Sequence, residues 1–315
     1  MHAAIALGAR GRGRTAPNPN VGCVIVKDGR VAGRGWTQPG GRPHAEAMAL
    51  EQAGDEARGA TAYVTLEPCA HDSPRGPACA DLLLEAGVAR IVCAVEDPDL
   101  RTNGRGFDRL RAAGVQVETG LLAAEAERSF AGFLTRLRHG RPHVTLKLAM
   151  SIDGRIAMPS GESRWITGEE ARAHVHLERA RADMILVGRG TLEADAPRLD
   201  VRLEGLEDRS PARALLTRGE APAGWTPIGA PGEISALAGV NDLFVEGGAD
   251  TAASFLRADL VDRLLLYRAP VLIGDGKPAL GDIGLAALAD AHNRWRLHDR
   301  RTLGIDLLEV YERNR

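Results

Sequence analysis

The strongest constraint on this 315-residue chain is a set of three side chains that are far apart in sequence and have to meet in space. His44, Cys69 and Cys79 offer one imidazole and two thiols, a three-ligand zinc set that leaves the fourth tetrahedral position open to water. Each sits where one element gives way to another. His44 begins a helical run over 44–53 that stops at Gly54. Cys69 follows the apolar strand 62–66, and Cys79 opens a helical run over 79–86 stopped by Gly87.

The surrounding elements alternate. A short helix is read over 3–9, then a β-branched strand over 21–26 closed by Lys27-Asp28-Gly29, with a partner strand over 31–36. A buried strand follows at 90–95, a helix at 106–113 ending at Gly114, and a last short strand at 115–118. This order implies a mixed sheet with helices on both faces. One basic helical stretch over 123–139 leads to Gly140-Arg141-Pro142, taken as the linker, so the domains expected are 1–139 and 143–315. In the second, strands are expected at 144–148, 185–187, 212–217, 242–245, 263–266 and 305–311, and 203–240 is rich in Pro and Gly.

Composition narrows the function classes. Forty basic against forty-two acidic side chains give a net charge of −2, which argues against nucleic acid or an anionic membrane as partner. The best apolar run, 260–273, falls short of the ~18 residues of a membrane span and is broken by Asp262, Arg263 and Arg268. Residues 1–15 are basic but lack an apolar core, so they read as a first helix rather than a targeting peptide. Four cysteines are too few for a disulfide scaffold, and a reducing cytoplasm is expected.

Two thiolates neutralise the zinc dication, so water activated there needs a base beside it. Glu46, two residues from His44, reaches such a water without ligating the metal. His-x-Glu followed by Pro-Cys and a second Cys is the signature of zinc deaminases acting on nucleobases. Cys23 and Cys93 lie in expected strands and read as core residues. His71 could compete as a ligand, but Cys79 completes the cysteine pair, which leaves His71 for substrate. Nine residues separate Cys69 from Cys79, a looped-out segment carrying His71 and Arg75 that suits a small phosphorylated substrate.

Further motifs carry a family resemblance. They are Pro17-Asn18-Pro19-Asn20-Val21-Gly22-Cys23, Pro43-His44-Ala45-Glu46, Tyr63-Val64-Thr65-Leu66-Glu67-Pro68-Cys69-Ala70-His71, Asp97-Pro98 and Gly104-Arg105-Gly106. Lys147-Leu148-Ala149-Met150-Ser151-Ile152-Asp153-Gly154, Gly161-Glu162-Ser163-Arg164-Trp165-Ile166-Thr167, Val245-Glu246-Gly247-Gly248 and Ala269-Pro270-Val271-Leu272-Ile273-Gly274 continue them. In order and over nearly the whole chain, these resemble the bifunctional deaminase/reductase family of riboflavin biosynthesis.

The resemblance implies an N-terminal cytidine-deaminase-like α/β/α domain and a C-terminal dihydrofolate-reductase-like α/β domain. The first would deaminate a diamino-ribosylamino-pyrimidinone 5′-phosphate, with His44, Cys69 and Cys79 on Zn2+, Glu46 catalytic, and Asn18, His71, Arg75 and Asp97 at the substrate. The chain departs from the family in a longer Cys69–Cys79 loop and in Asp99, where the family has Asn. The second domain would use NADPH to reduce the ribosyl group to ribityl. Ala149, Trp165, Thr191, Asp195 and Gly248 match cofactor positions; Lys147, Ser163, Arg179, Leu199, Arg202 and Glu246 match substrate positions.

From the residues alone, Gly247-Gly248 between a strand and a helix is the better phosphate cradle, because Gly188-Arg189-Gly190 lacks a third glycine. A homo-oligomer, dimer or tetramer, is expected. Only 39 residues separate Arg202 from Asp242, fewer than the family carries, so a deaminase with a degenerate second domain is the competing expectation. A nucleic-acid-editing deaminase is disfavoured by charge and by the long cysteine loop.

Overall fold

A computed structural model describes residues 1–71 and 73–315 and divides into two compact units, Met1–Gly140 and Arg141–Arg315. The first is built on a five-stranded sheet of β1 (Gly22–Lys27), β2 (Arg30–Trp36), β3 (Thr61–Leu66), β4 (Arg90–Val95) and β5 (Gln116–Thr119), in the order β2-β1-β3-β4-β5. β1 runs antiparallel to both its neighbours, and β3, β4 and β5 are parallel. Asp28 (φ 48°) and Gly29 (φ 75°) close the β1–β2 hairpin with positive φ at both central positions, as a tight two-residue turn requires.

The helices are α1 (His2–Gly8), α2 (Ala45–Ala53), α3 (Cys79–Glu85), α4 (Arg105–Ala112), α5 (Ala123–Ser129) and α6 (Ala131–His139). Ala45, Ala49 and Ala53 form the buried stripe of α2, facing two glycines of β2. A Cβ on Gly35 would stand 2.1 Å from the Ala45 carbonyl oxygen, and one on Gly33 would stand 2.1 Å from that of Ala49. Small residues on both sides thus let α2, with His44 and Glu46 at its start, lie directly on the sheet. The single helix expected over 123–139 is two, broken at Phe130, whose backbone leaves helical geometry (φ −123°, ψ 36°) as its ring enters the core.

The second unit contains β6 (His143–Ser151), β7 (Arg155–Ala157), α7 (Glu169–Arg179), β8 (Met184–Gly188), α8 (Arg189–Asp195), β9 (Ala212–Leu216), β10 (Trp225–Ile228), β11 (Asp242–Glu246), α9 (Ala249–Arg257), β12 (Arg263–Ala269), β13 (Lys277–Pro278), β14 (Trp295–Leu303) and β15 (Asp306–Arg313). Its main sheet has the order β10-β9-β8-β11-β6-β12-β15-β14. The first six strands are parallel, and β15 and β14 close the edge antiparallel. Apolar residues of β6, β8 and β11 form the centre of its core. Sequence periodicity did not reveal α7, α8, β7, β10, β13 or β14. β14 (WRLHDRRTL) is an exposed, charged edge strand without apolar alternation, and α7 (EEARAHVHLER) buries little beyond Ala171, Val175 and Glu178.

Arg141 opens this unit in a buried ion pair with Asp262 (Nη1–Oδ2 2.7 Å, Nη2–Oδ1 2.8 Å), and the Val144 N–H donates to the same carboxylate at 2.9 Å.

Candidate active sites

In the first unit, three element termini converge. His44 is the N-cap of α2, with extended backbone (φ −74°, ψ 164°); Cys69 follows β3; Cys79 is the first residue of α3. His44 Nδ1 lies 3.3 Å from Cys79 Sγ and 3.7 Å from Cys69 Sγ, and the three donor atoms all fall within 4.8 Å of one another. Around tetrahedral zinc, with bonds of ~2.0–2.1 Å to nitrogen and ~2.3 Å to sulfur, neighbouring N and S donors stand about 3.5 Å apart. The donor set therefore fits zinc in both chemistry and spacing.

Hydrogen bonding from Cys79 is the largest influence on Cys69. It pulls that thiol down to about 3 against the opposing effect of burial, and His44 adds to the pull. Cys79 is pushed up by its bond to Cys69, then by burial and the nearby Glu46 charge. Both sulfurs must be thiolates to ligate zinc, so metal binding here releases protons.

Glu46 sits in the first turn of α2, buried beside the ligands. Burial pushes its carboxyl up to about 7, opposed by His44 and reinforced by Cys69. Asn18 reaches the other side of the His44 ring (Nδ2–Nε2 3.3 Å) and the Gly41 carbonyl oxygen (3.0 Å). Arg75 donates to the neighbouring Gly40 carbonyl at 2.6 Å. Asp97 is buried in the β4–α4 loop, its carboxyl pushed up to about 6 by burial and by the negative charges of Asp99, Glu67 and Cys69. His71 approaches Thr102 of that loop (Nδ1–Oγ1 3.4 Å). Asn18, His71, Arg75 and Asp97 thus lie on the segments that surround the three ligands. Cys23 and Cys93 are fully buried in β1 and β4, as core residues. Glu67, which the sequence places between strand and ligand without a role, is buried here and accepts four backbone N–H groups.

In the second unit, Lys147 on β6 and Glu246 on β11 are register partners on adjacent parallel strands, with Nζ 3.8 Å from Oε2. Arg179, the last residue of α7, grips the same carboxylate (Nε–Oε1 2.6 Å, Nη2–Oε2 3.0 Å) and donates to the Asp200 carbonyl at 3.0 Å. Burial alone would raise Glu246, but Arg179 and Lys147 outweigh it and hold the carboxyl below its ordinary value. Burial lowers Lys147, opposed by Glu246 and assisted by Arg179. His176, one turn before Arg179, lies 3.1 Å from the Asp200 carbonyl oxygen and 3.3 Å from the Arg202 N–H. Leu199 is buried beside this loop, and Arg202 pairs with Asp200. Neither His176 nor Asp200 was singled out from the sequence; a histidine one helical turn from Arg179 was the available signal.

Thr191 and Asp195 on α8 and Gly248 at the N-cap of α9 lie just past the carboxyl ends of β8 and β11, which run into those helices through Gly188 and through Gly247-Gly248. A Cβ on Gly188 would stand 2.1 Å from Thr251 Oγ1, and one on Gly247 would stand 2.7 Å from Thr251 Cβ. The two strand ends and α9 thus form a tight cradle with backbone N–H groups at its lip, which suits a dinucleotide phosphate. Thr191 Oγ1 lies 3.5 Å from the Cβ position of Gly248. Arg164, between Ser163 and the exposed Trp165, donates to the Asp195 carbonyl at 2.8 Å, and Arg172 stacks over the Trp165 ring at 4.9 Å. Ala149 lies on β6, two residues beyond Lys147.

Residues 1–95 match the cytidine and deoxycytidylate deaminase zinc-binding region, and residues 142–223 and 233–308 match the RibD C-terminal domain. Riboflavin biosynthesis protein RibD of Escherichia coli is 41% identical over an alignment covering 98% of this chain and 96% of that protein. The chain belongs to the RibD family. RibD of Acinetobacter baumannii superposes with a TM-score of 0.90 at 36% identity, over 100% of this chain and 98% of that one. A diaminohydroxyphosphoribosylaminopyrimidine deaminase/5-amino-6-(5-phosphoribosylamino)uracil reductase of Thermotoga maritima gives 0.90 at 31% identity, over 100% and 97%. The first unit is thus a cytidine-deaminase-like domain and the second a RibD C-terminal domain of the dihydrofolate-reductase-like class. Among the described residues, no helix is long and apolar enough to cross a membrane.

Proposed function

We propose that this RibD family chain carries out two consecutive steps of riboflavin biosynthesis. The first is zinc-dependent hydrolytic deamination of 2,5-diamino-6-ribosylamino-4(3H)-pyrimidinone 5′-phosphate. The second is NADPH-dependent reduction of 5-amino-6-(5-phosphoribosylamino)uracil to the ribityl product. The observation that carries the reading is the convergence of His44, Cys69 and Cys79 beside a buried Glu46, in a chain that also holds the Lys147–Glu246–Arg179 cluster at the mouth of a reductase-type sheet.

His44, Cys69 and Cys79 would hold zinc, which would supply the Lewis acidity that lets water react near neutral pH. Glu46 takes a proton from that water as its oxygen bonds to the amine-bearing ring carbon. It hands that proton to the ring nitrogen, then takes a second proton from the added hydroxyl as the carbonyl forms and delivers it to the amine, which leaves as ammonia. A buried carboxyl beside the ligands suits this work, because it is within reach of the water without being a ligand itself. Asn18, His71, Arg75 and Asp97 orient the ring and its phosphorylated sugar.

Ala149, Trp165, Thr191, Asp195 and Gly248 would hold NADPH, which would supply the hydride that reduces C1′ of the sugar. Lys147, its proton loosened by burial, protonates the ring oxygen as the sugar opens. Glu246, clamped by Arg179, holds that cation in place, and Ser163, Leu199 and Arg202 line the substrate. Two metal-ligating thiols that must stay free of disulfides suit a reducing cytoplasm.

The test is a pair of assays on one preparation: ammonia release from the diamino substrate, and NADPH oxidation on the deaminated one. Both activities are expected. Ammonia release without NADPH oxidation at saturating cofactor would return the chain to a deaminase with an inert second domain.

A further inference from the structure

Glu67 lies outside the ligand set and outside the substrate positions matched above, yet it makes the densest set of polar contacts near the metal site. Its side chain is buried, and both oxygens are fully engaged. Oε2 accepts the N–H of Asp97 (3.2 Å) and of Gly104 (3.0 Å); Oε1 accepts those of Gly106 (2.9 Å) and Phe107 (3.3 Å). Gly106 and Phe107 are the second and third residues of α4, so two of the helix's orphan donors are satisfied by a carboxylate from another strand rather than by a local cap. Gly104, left-handed at φ 81°, precedes the helix. The close approach needs Gly106, because a Cβ there would stand 2.1 Å from the Pro68 carbonyl oxygen and 3.0 Å from Glu67 Oε1.

The placement of these four donors matters. Asp97 and Gly104 are the two ends of the loop between β4 and α4. Inside the loop, Asp97 Oδ1 accepts the Asp99 N–H at 2.9 Å, the Asp99 carbonyl accepts the Thr102 N–H at 2.8 Å, and Thr102 Oγ1 faces His71. The loop is therefore a stiff unit held at both ends by one carboxylate. The main chain of Glu67 in turn leads through Pro68 to Cys69, a metal ligand two residues away. One residue thus connects the segment that would hold the metal with the loop that carries Asp97.

We propose that Glu67 is a positioning residue for deamination. It fixes the distance between the Cys69 segment and the Asp97–Gly104 loop, and so sets substrate orientation without touching metal or substrate. The inference rests on the deaminase reading above. It goes beyond that reading in assigning the order of the substrate loop to a single buried carboxylate.

The test is Glu67→Gln in the full-length, zinc-loaded chain. Glutamine keeps the volume but offers one acceptor oxygen in place of two and points an NH2 group at backbone donors that then lack a partner. Amide hydrogen exchange is read first: Asp97, Gly104, Gly106 and Phe107 should exchange faster, with β3 and α2 unchanged. Zinc content and NADPH oxidation should equal wild type. Deaminase kcat/KM should fall roughly ten- to hundredfold, carried mainly by kcat, since a misplacement on the order of 1 Å costs that much. Gly106→Ala is the second variant; it pushes α4 away from Pro68 with the carboxylate intact and should reproduce the kcat-dominated loss.

Unchanged exchange at the four amides would overturn the proposal. So would faster exchange with full deaminase activity, or loss of zinc, which would mean that Glu67 acts through the ligand segment. Absence of ammonia release from wild type would instead sink the deaminase reading, and the exchange result would still decide whether Glu67 holds the loop.

Discussion

The two units solve the problem of assembling a reactive site in opposite ways. The deaminase unit takes its ligands from one stretch of chain, residues 44–79, and brings them together by close backbone packing: alanines of α2 on glycines of β2, and termini of α2, α3 and β3 at one point. The reductase unit draws Lys147, Arg179 and Glu246 from three distant elements and holds them by charge, with two cations on one buried carboxylate. The first site is a donor set waiting for a cation. The second already carries its own counter-charges, two cations against one carboxylate. Loss of a member should therefore be all-or-none in the first and graded in the second.

The sharpest way to break this contrast is at a metal ligand. Cys79→Ser should abolish both zinc binding and ammonia release while NADPH oxidation on supplied intermediate persists. Cys93→Ser, a fully buried thiol in the same sheet, should change neither, beyond a modest loss of stability. Equal zinc content in wild type and Cys79→Ser would remove Cys79 from the ligand set. Next in size is Glu46→Gln, which should keep its zinc and lose deamination by about 10²–10⁴-fold, the range typical of general acid–base catalysis. If the metal goes with it, Glu46 is a ligand or a fold element.

These expectations differ in how much of their basis the sequence displays. In the deaminase unit, His44, Glu46, Cys69 and Cys79 sit at fixed offsets from strand and helix boundaries, because metal geometry demands particular residue types at element ends. Periodicity located those ends within a residue or two. It did not reveal Glu67, since a carboxylate after an apolar strand looks the same whether it meets water or four N–H groups. In the reductase unit no local pattern joins Lys147 to Glu246. Their meeting depends on β11 inserting between β6 and β8, a tertiary fact that only the family resemblance anticipated. β14 and α7 escaped for a related reason: with charged residues dominating both, there was no apolar period to follow.

Charge as the organising force of the second unit also predicts its stability. Burial alone would raise Asp262, but the Arg141 hydrogen bonds, with His143 and the Val144 N–H, outweigh it and hold the carboxyl below its ordinary value. Asp262→Asn would leave the Arg141 guanidinium buried against a neutral amide, and breaking such a pair costs about 3–5 kcal/mol. The thermal transition of the second unit should drop accordingly, with the zinc-loaded first unit unaffected. Because the folded value is depressed, the contribution is complete above the unfolded carboxylate value of ~3.9 and disappears as pH falls through the folded one. The gap between wild type and variant should therefore narrow in acid. A gap that is constant with pH would show that packing, not charge, holds this end of the unit.

The smallest effect is expected at the far edge of the reductase sheet. Alignment with the Escherichia coli relative runs to 359 positions against the 315 residues here, so that protein carries segments this chain lacks. Between Arg202 and Asp242 the chain builds β9, the four-residue edge strand β10 and two short 3-10 helices, Glu207–Arg209 and Pro231–Ala236. A dinucleotide held as proposed above would meet that edge with its adenosine end, away from the hydride, so contacts there would count equally in ground and transition states. Trimming them should raise the Michaelis constant and leave turnover alone. One or two lost contacts of ~1–1.5 kcal/mol each correspond to roughly tenfold weaker binding or more. NADPH should therefore show a Michaelis constant about tenfold above that of the Escherichia coli protein assayed alongside, with similar kcat and poor discrimination against NADH. Lys147, Glu246 and Asp195, at the reactive end, do not depend on the trimmed edge. Tight NADPH binding would instead credit the cations that remain there. Arg189 is anchored on Thr217 Oγ1 at 2.8 Å and Arg218 is exposed at the end of β9, and together they would rebuild the wall by charge.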